Sequence, residues 1–91
     1  MSDPAIIPVA GSAFTKIATA VKIGQVHLKD MTPYYVYTYR DTGGAAPIYP
    51  GDLDECVDFV GKSMAISSAN AIDIYMATAK DDGGGSVRVD L

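Results

Sequence analysis

Pro33-Tyr34-Tyr35-Val36-Tyr37-Thr38-Tyr39-Arg40 is the stretch that decides the fold class. Six of its eight residues are aromatic or β-branched, and four are tyrosines. In a helix such side chains lose rotamer freedom against the preceding turn, whereas a pleated strand accommodates them. Side chains alternate across a strand, so Tyr35, Tyr37 and Tyr39 share one face and Tyr34, Val36, Thr38 and Arg40 the other. One face of a small sheet meets solvent or another chain, and tyrosine is enriched at interfaces. Which face is buried stays open at this point.

Upstream, Phe14-Thr15-Lys16-Ile17 alternates as a short strand, and Val21-Lys22-Ile23-Gly24-Gln25-Val26-His27-Leu28 reads as another. Val21 and Ile23 fall on one face of it, Val26 and Leu28 on the opposite one, and Gly24 sits at the slip. A bulge at Gly24 would return all four side chains to the core. Lys29-Asp30-Met31-Thr32-Pro33 turns the chain, so this strand and the tyrosine strand are expected to form a hairpin.

Residues 1–12 carry Pro4, Pro8 and Gly11 and read as an extended arm rather than a ladder strand, because proline lacks an amide donor. Ile6, Ile7 and Val9 are its apolar side chains. Two readings stand: a frayed terminus, or an arm that docks on a neighbouring subunit.

Downstream, 41–50 holds two glycines and two prolines and is expected to be irregular, with Ile48-Tyr49 as an exposed contact tip. In 52–64 the patterns conflict. Asp52 with Glu55 resembles a capping box, and Leu53, Val57, Val60 and Met64 recur at helical spacing, yet Val57-Asp58-Phe59 alternates. A strand is preferred, with a short helix near 53–61 as the alternative. Ile72, Ile74 and Met76 against Asp73 and Tyr75 fit a strand. Lys80-Asp81-Asp82-Gly83-Gly84-Gly85 is a turn, and Ser86-Val87-Arg88-Val89-Asp90-Leu91 alternates, which predicts a second hairpin.

The expected architecture is all-β: a small antiparallel β-sandwich or barrel of six to seven short strands, the α+β variant being the alternative. Residues 1–12 form the arm and 13–91 a single β domain. A chain of 91 residues buries only roughly 60–65% of its unfolded surface. Charged residues make up 20%, below the usual ~25%, and such a surface favours a homo-oligomer or a docked subunit.

Net charge is −4, with arginine only at Arg40 and Arg88. Phosphate neutralisation needs clustered Lys and Arg, so nucleic acid and anionic membrane are not expected as partners. Met1-Ser2-Asp3-Pro4-Ala5-Ile6-Ile7-Pro8 has neither the basic nor the apolar region of a secretory signal, and no run approaches the ~20 apolar residues of a membrane span. The expected setting is the cytoplasm in which the chain is made and assembled.

No catalytic, cofactor or metal constellation is expected. His27 is the single histidine and lies opposite Val26 and Leu28, on the exposed face of its strand. Neither Ser12 nor Ser63 sits in a nucleophile elbow. Asp52, Asp54, Glu55 and Asp58 read as a solvated acidic loop. Asp81-Asp82-Gly83-Gly84-Gly85 lacks the ligand alternation of a calcium loop and the lysine of a phosphate loop. Cys56 is the single cysteine and is flanked by acids, which raises a thiol pKa.

In its proline-containing arm 1–12, its strands 18–28 and 34–40, and the ending Ala71-Ile72-Asp73-Ile74-Tyr75-Met76 followed by Ser86-Val87-Arg88-Val89-Asp90-Leu91, the chain resembles the small β-structured virion proteins of tailed bacteriophages. The likeness is one of size, acidity and glycine-rich hairpins. It implies a non-enzymatic capsid decoration or cement subunit that caps junctions of the major capsid protein, often as a trimer, without a cofactor. On that reading Ile6, Ile7, Val9, Tyr35, Tyr37, Tyr39, Ile48 and Tyr49 are the expected interface residues, and the virion is the expected location. The other reading is an oligomeric binding module with its ligand on the Tyr35/Tyr37/Tyr39 face.

Overall fold

The computed structural model describes residues 5–28, 32–39, 42–80 and 83–91. Six strands form one antiparallel sheet: β1 (Ala5–Val9), β2 (Thr15–Leu28), β3 (Tyr34–Tyr39), β4 (Val57–Phe59), β5 (Ser63–Thr78) and β6 (Gly85–Asp90). Their spatial order is β1-β6-β2-β5-β3-β4. The all-β reading of the sequence holds. The strands are not uniformly short, because the two stretches read as separate strands on either side of Ala18 are one, β2, and β5 spans 16 residues.

β2 and β5 are the spine, and both change register midway. Five residue steps along β2, from Lys16 to Val21, face three along β5, from Tyr75 to Ile72; then two steps from Val21 to Ile23 face five from Ile72 to Ser67. Extra residues bend a strand and increase its twist. The sheet therefore divides into two halves joined through the spine. One half is β1, β6 and the ends of β2 and β5 that pair Ile23–His27 with Ser63–Ser67; the other is the remaining ends with β3 and β4.

The two halves enclose one apolar cluster. Val26, Leu28, Ile66, Val87 and Val89 come from the first half, and Ile17, Tyr34, Val36, Ile74 and Met76 from the second. Tyr34 on β3 donates its hydroxyl to the Ser86 carbonyl on β6, 3.4 Å away, so strands three places apart in the order meet across the core. Gly85 makes room: a Cβ there would lie 2.5 Å from the Tyr34 hydroxyl. The face of β3 that is buried is thus Tyr34 and Val36.

Several expectations change. The β2–β3 hairpin does not form; β5 lies between those strands, and β3 pairs with β4 and β5. The last two strands do not pair either, because β6 inserts between β1 and β2. Of the turns expected at 29–33 and 80–85, residues 29–31 and 81–82 lie outside the described residues. Gly24 is not the bulge: it sits in regular register opposite Ile66, and the shift falls before Ile23, which points to solvent. Glycine is needed at 24 because a Cβ would come within 2.8 Å of the Asp90 carbonyl.

Residues 5–9 do not stand apart as an arm but form edge strand β1 on β6; Met1–Pro4 lie outside the described residues. An edge strand needs hydrogen bonds on one side alone, so Pro8 is tolerated there. In 52–64 each reading captures a part: Leu53–Glu55 is one 3-10 turn, Val57–Phe59 is β4, and Gly61 lies at a bend before β5. Asp52 precedes the turn but its side chain does not cap it; Oδ2 accepts the Ile48 N–H.

Candidate functional site

The second half of β5 is buried on both faces. Ile72, Ile74 and Met76 face the core, while Asp73, Tyr75 and Ala77 on the opposite face are covered as well. The cover is built from the chain's own loops. Phe14, just before β2, packs edge-on against Tyr49, with ring centroids 5.9 Å apart, and against Tyr37 at 6.2 Å. The Tyr37 hydroxyl donates to Glu55 Oε2 at 3.2 Å. Lys16 and Tyr37 flank Tyr75 in the ladder, and the Lys16 ammonium stands 5.7 Å from the centre of the Tyr75 ring.

Asp73 is the polar centre of this region and has no solvent exposure. Its Oδ1 accepts the Ala20 N–H at 3.0 Å and its Oδ2 accepts the Gly43 N–H at 2.9 Å. Lys16 Nζ lies 3.5 Å from Oδ2. A buried carboxylate is tolerated when it is bonded and paired. The two backbone donors, from Ala20 and then Gly43, outweigh burial and hold the Asp73 carboxyl below the ordinary range, with Lys16 adding to the effect. For Lys16, partial desolvation opposes the charge, but Asp73 and Tyr75 prevail and raise the ammonium above the ordinary lysine value.

Both donors sit in left-handed backbone. Ala20 has φ 54° within the bent part of β2, and Gly43 has φ 77° in the loop after β3. An alanine in that region is uncommon and is held there by its surroundings. Asp73 supplies such a hold. Among the described residues its contacts are with Ala20, Gly43 and Lys16, which makes it a clamp between strand, bend and loop.

The outer face of the first half is different. Ile6, Arg88 and His27 are ladder neighbours on β1, β6 and β2, and Lys62 follows on the segment entering β5. With Ser86 they line an open groove of about 540 Å³, floored by Leu28 and Val87. His27 Nε2 lies 2.8 Å from Asp90 Oδ2, and Arg88 reaches the same oxygen at 3.5 Å.

The expected interface residues separate accordingly. Ile6 is 67% exposed, but Ile7 packs against the core and Val9 is buried in it, because side chains alternate along β1. Tyr35 is half-buried, and Tyr37 and Tyr49 belong to the cluster around Phe14. Tyr39 pairs with Asp73 in the ladder; its side chain lies outside the described residues. Ile48 is 70% exposed at its loop tip, as expected. Ile23, Val57, Val60 and Leu91 are exposed apolar side chains that alternation alone did not single out.

Asp73 was missed because alternation assigned it to solvent. A lone carboxylate within the apolar run Ala71-Ile72-Asp73-Ile74-Tyr75-Met76-Ala77 was the available signal, since such a group is buried only with partners. Cys56 is partly buried and its thiol donates to the Asp52 carbonyl at 3.3 Å. Burial first, then Asp52, Asp58 and Glu55, push that thiol above its ordinary pKa. Among the described residues no three His, Cys, Asp or Glu side chains gather as a metal site, and no helix is long and apolar enough to cross a membrane.

No protein-family model, curated protein or solved structure matches this chain.

Proposed function

We propose that this chain is a non-enzymatic structural subunit of a virion, a decoration or cement protein that bridges neighbouring capsid subunits. The observation that carries this reading is where the large apolar side chains reach solvent. Ile6 and Ile23 lie on one half of the sheet, Val57 and Val60 at the opposite edge, and Ile48 on a loop tip. Apolar groups spread over separate strands and a loop tip suit a subunit gripped by neighbours on several sides, whereas a small-molecule site gathers them in one concavity. The resemblance to small phage virion proteins points the same way.

The alternative, a binding module with its ligand on the Tyr35/Tyr37/Tyr39 face, loses support because Tyr37 is occupied by Phe14 and Glu55 of the same chain. The test is mass spectrometry of purified particles from the source that encodes the chain. A decoration subunit is present at a copy number comparable to that of the major capsid protein. Particles that lack the chain, or hold it at a few copies, overturn the reading.

A further inference from the structure

We infer that copies of this chain associate, the segment 54–60 of one copy seating in the groove beside β1 of the next. Two neighbouring surfaces carry opposite characters, the segment ending at Val60 two residues before Lys62 enters the groove. At the β4 edge, Asp54, Glu55 and Asp58 are exposed beside the exposed apolar Val57 and Val60. Among the described residues no cation pairs with Asp54 or Asp58. Beyond that segment, the groove presents Lys62, Arg88 and His27 around Ile6. Asp90 engages His27 and one terminal nitrogen of Arg88, and among the described residues no carboxylate reaches Lys62.

A chain of net charge −4 thus carries a groove with basic and apolar side chains next to an anionic, partly apolar strand. The occupant that matches the groove in charge and apolar content is the β4 edge of a second copy. Because each copy presents both surfaces side by side, two copies exchange them about a two-fold where the geometry closes, and otherwise the contact propagates from copy to copy. Backbone pairing at β1 is not required and is disfavoured by Pro8, so the contact is made by side chains across the outer face.

Sedimentation velocity of the full chain at about 100 µM, in salt raised from about 50 mM to about 500 mM, reads the contact directly. The expected result is a species larger than the 9.6 kDa chain at low salt that shrinks toward it at high salt. Two charge-reversed chains sharpen the test. Lys62→Glu with Arg88→Glu, and Asp54→Lys with Asp58→Lys, should each be monomeric alone and associate when mixed, since acid then meets base at both kinds of junction. Circular dichroism checks that each is folded; if one is not, Lys62→Gln and Asp54→Asn serve instead, each reducing association at least several-fold. A wild-type chain that stays at 9.6 kDa at low salt overturns the inference, as does an oligomer indifferent to all these changes. The inference stands apart from the virion reading: a chain that assembles this way but is missing from particles keeps the one and loses the other.

Discussion

Asp73 on β5 accepts the main-chain N–H of Ala20, 53 positions earlier, at 3.0 Å, and so fixes the left-handed bend through which β2 passes from one half of the sheet to the other. The same carboxylate holds the Gly43 loop over the outer face of β5. Asp73→Ala is expected to lower the melting temperature more than any exposed carboxylate replacement, because two buried N–H groups lose their acceptor. Asp54→Ala is the matched control. Equal melting temperatures for the two variants would remove Asp73 from its role as clamp.

The acid limb of stability follows from the same group. Its folded pKa lies below its unfolded value, so the unfolded chain binds more protons in the window between them. Its stabilisation is therefore fully present above the ordinary carboxylate range, about pH 4, and is lost as pH falls through the depressed folded value. Urea titrations at a series of pH values should show stability falling below about pH 4, and Asp73→Asn should flatten that fall. An unchanged slope in the variant would place the acid sensitivity elsewhere.

Gly85 and Tyr34 are expected to be energetically coupled. Gly85→Ala puts a methyl 2.5 Å from the Tyr34 hydroxyl and should cost about 1–3 kcal/mol by overpacking. In a Tyr34→Phe background the nearest atom becomes the ring carbon at 3.4 Å, and most of that cost should vanish. A double-mutant cycle measures the coupling; strict additivity would mean that the β6 backbone, not the hydroxyl, limits the approach.

Thr78 is wholly buried, and among the described residues its hydroxyl has no hydrogen-bond partner. Its backbone N–H is satisfied by the Ala10 carbonyl at 3.1 Å, so the main-chain role survives substitution. Thr78→Val keeps the shape and removes the unmet polar group, and should raise stability by about 1 kcal/mol in denaturant melts. Met76→Ala, by contrast, opens a cavity at a fully buried position and should cost about 2–5 kcal/mol.

Cys56 should be a poor nucleophile. Burial and three neighbouring acids disfavour its thiolate. Alkylation of the folded protein at pH 8 should run slower than that of the urea-unfolded chain. Equal rates would place the thiol in open solvent.

Strand identity was legible in this sequence wherever one alternation ran unbroken: Tyr34 to Tyr39, Ile72 to Met76 and Val87 to Leu91. Strand partnership was not, because β6 bonds to β1 and β2 while its neighbour in the chain, β5, bonds to β2 and β3. Alternation reports which way a side chain faces and carries nothing about which strand lies alongside. The bend of β2 was legible as a phase slip but was drawn to Gly24, since glycine commonly marks a bulge. The actual shift lies where Ala20 adopts an unusual conformation held by a distant aspartate, which no local pattern encodes. Of the expected contact residues, Ile6 and Ile48 reach solvent, whereas Val9 was lost to the core once β1 joined the sheet.

The spatial order β1-β6-β2-β5-β3-β4 also sets a constraint on birth of the molecule. Among the described residues, β3 and β4 are the one strand pair adjacent both in the sheet and along the chain. As the polypeptide leaves a ribosome, β1 and β2 emerge with no partner to bond; β2 waits for β5 and β6, and β1 for β6. Loop closure on that scale is slow relative to local pairing, and unpaired edges stay open to wrong partners meanwhile. The nascent chain is therefore most vulnerable just before residues 85–90 are made. A chain stalled at residue 80 lacks the strand that joins β1 to β2, and it is such fragments, rather than the folded sheet, that would call on chaperones.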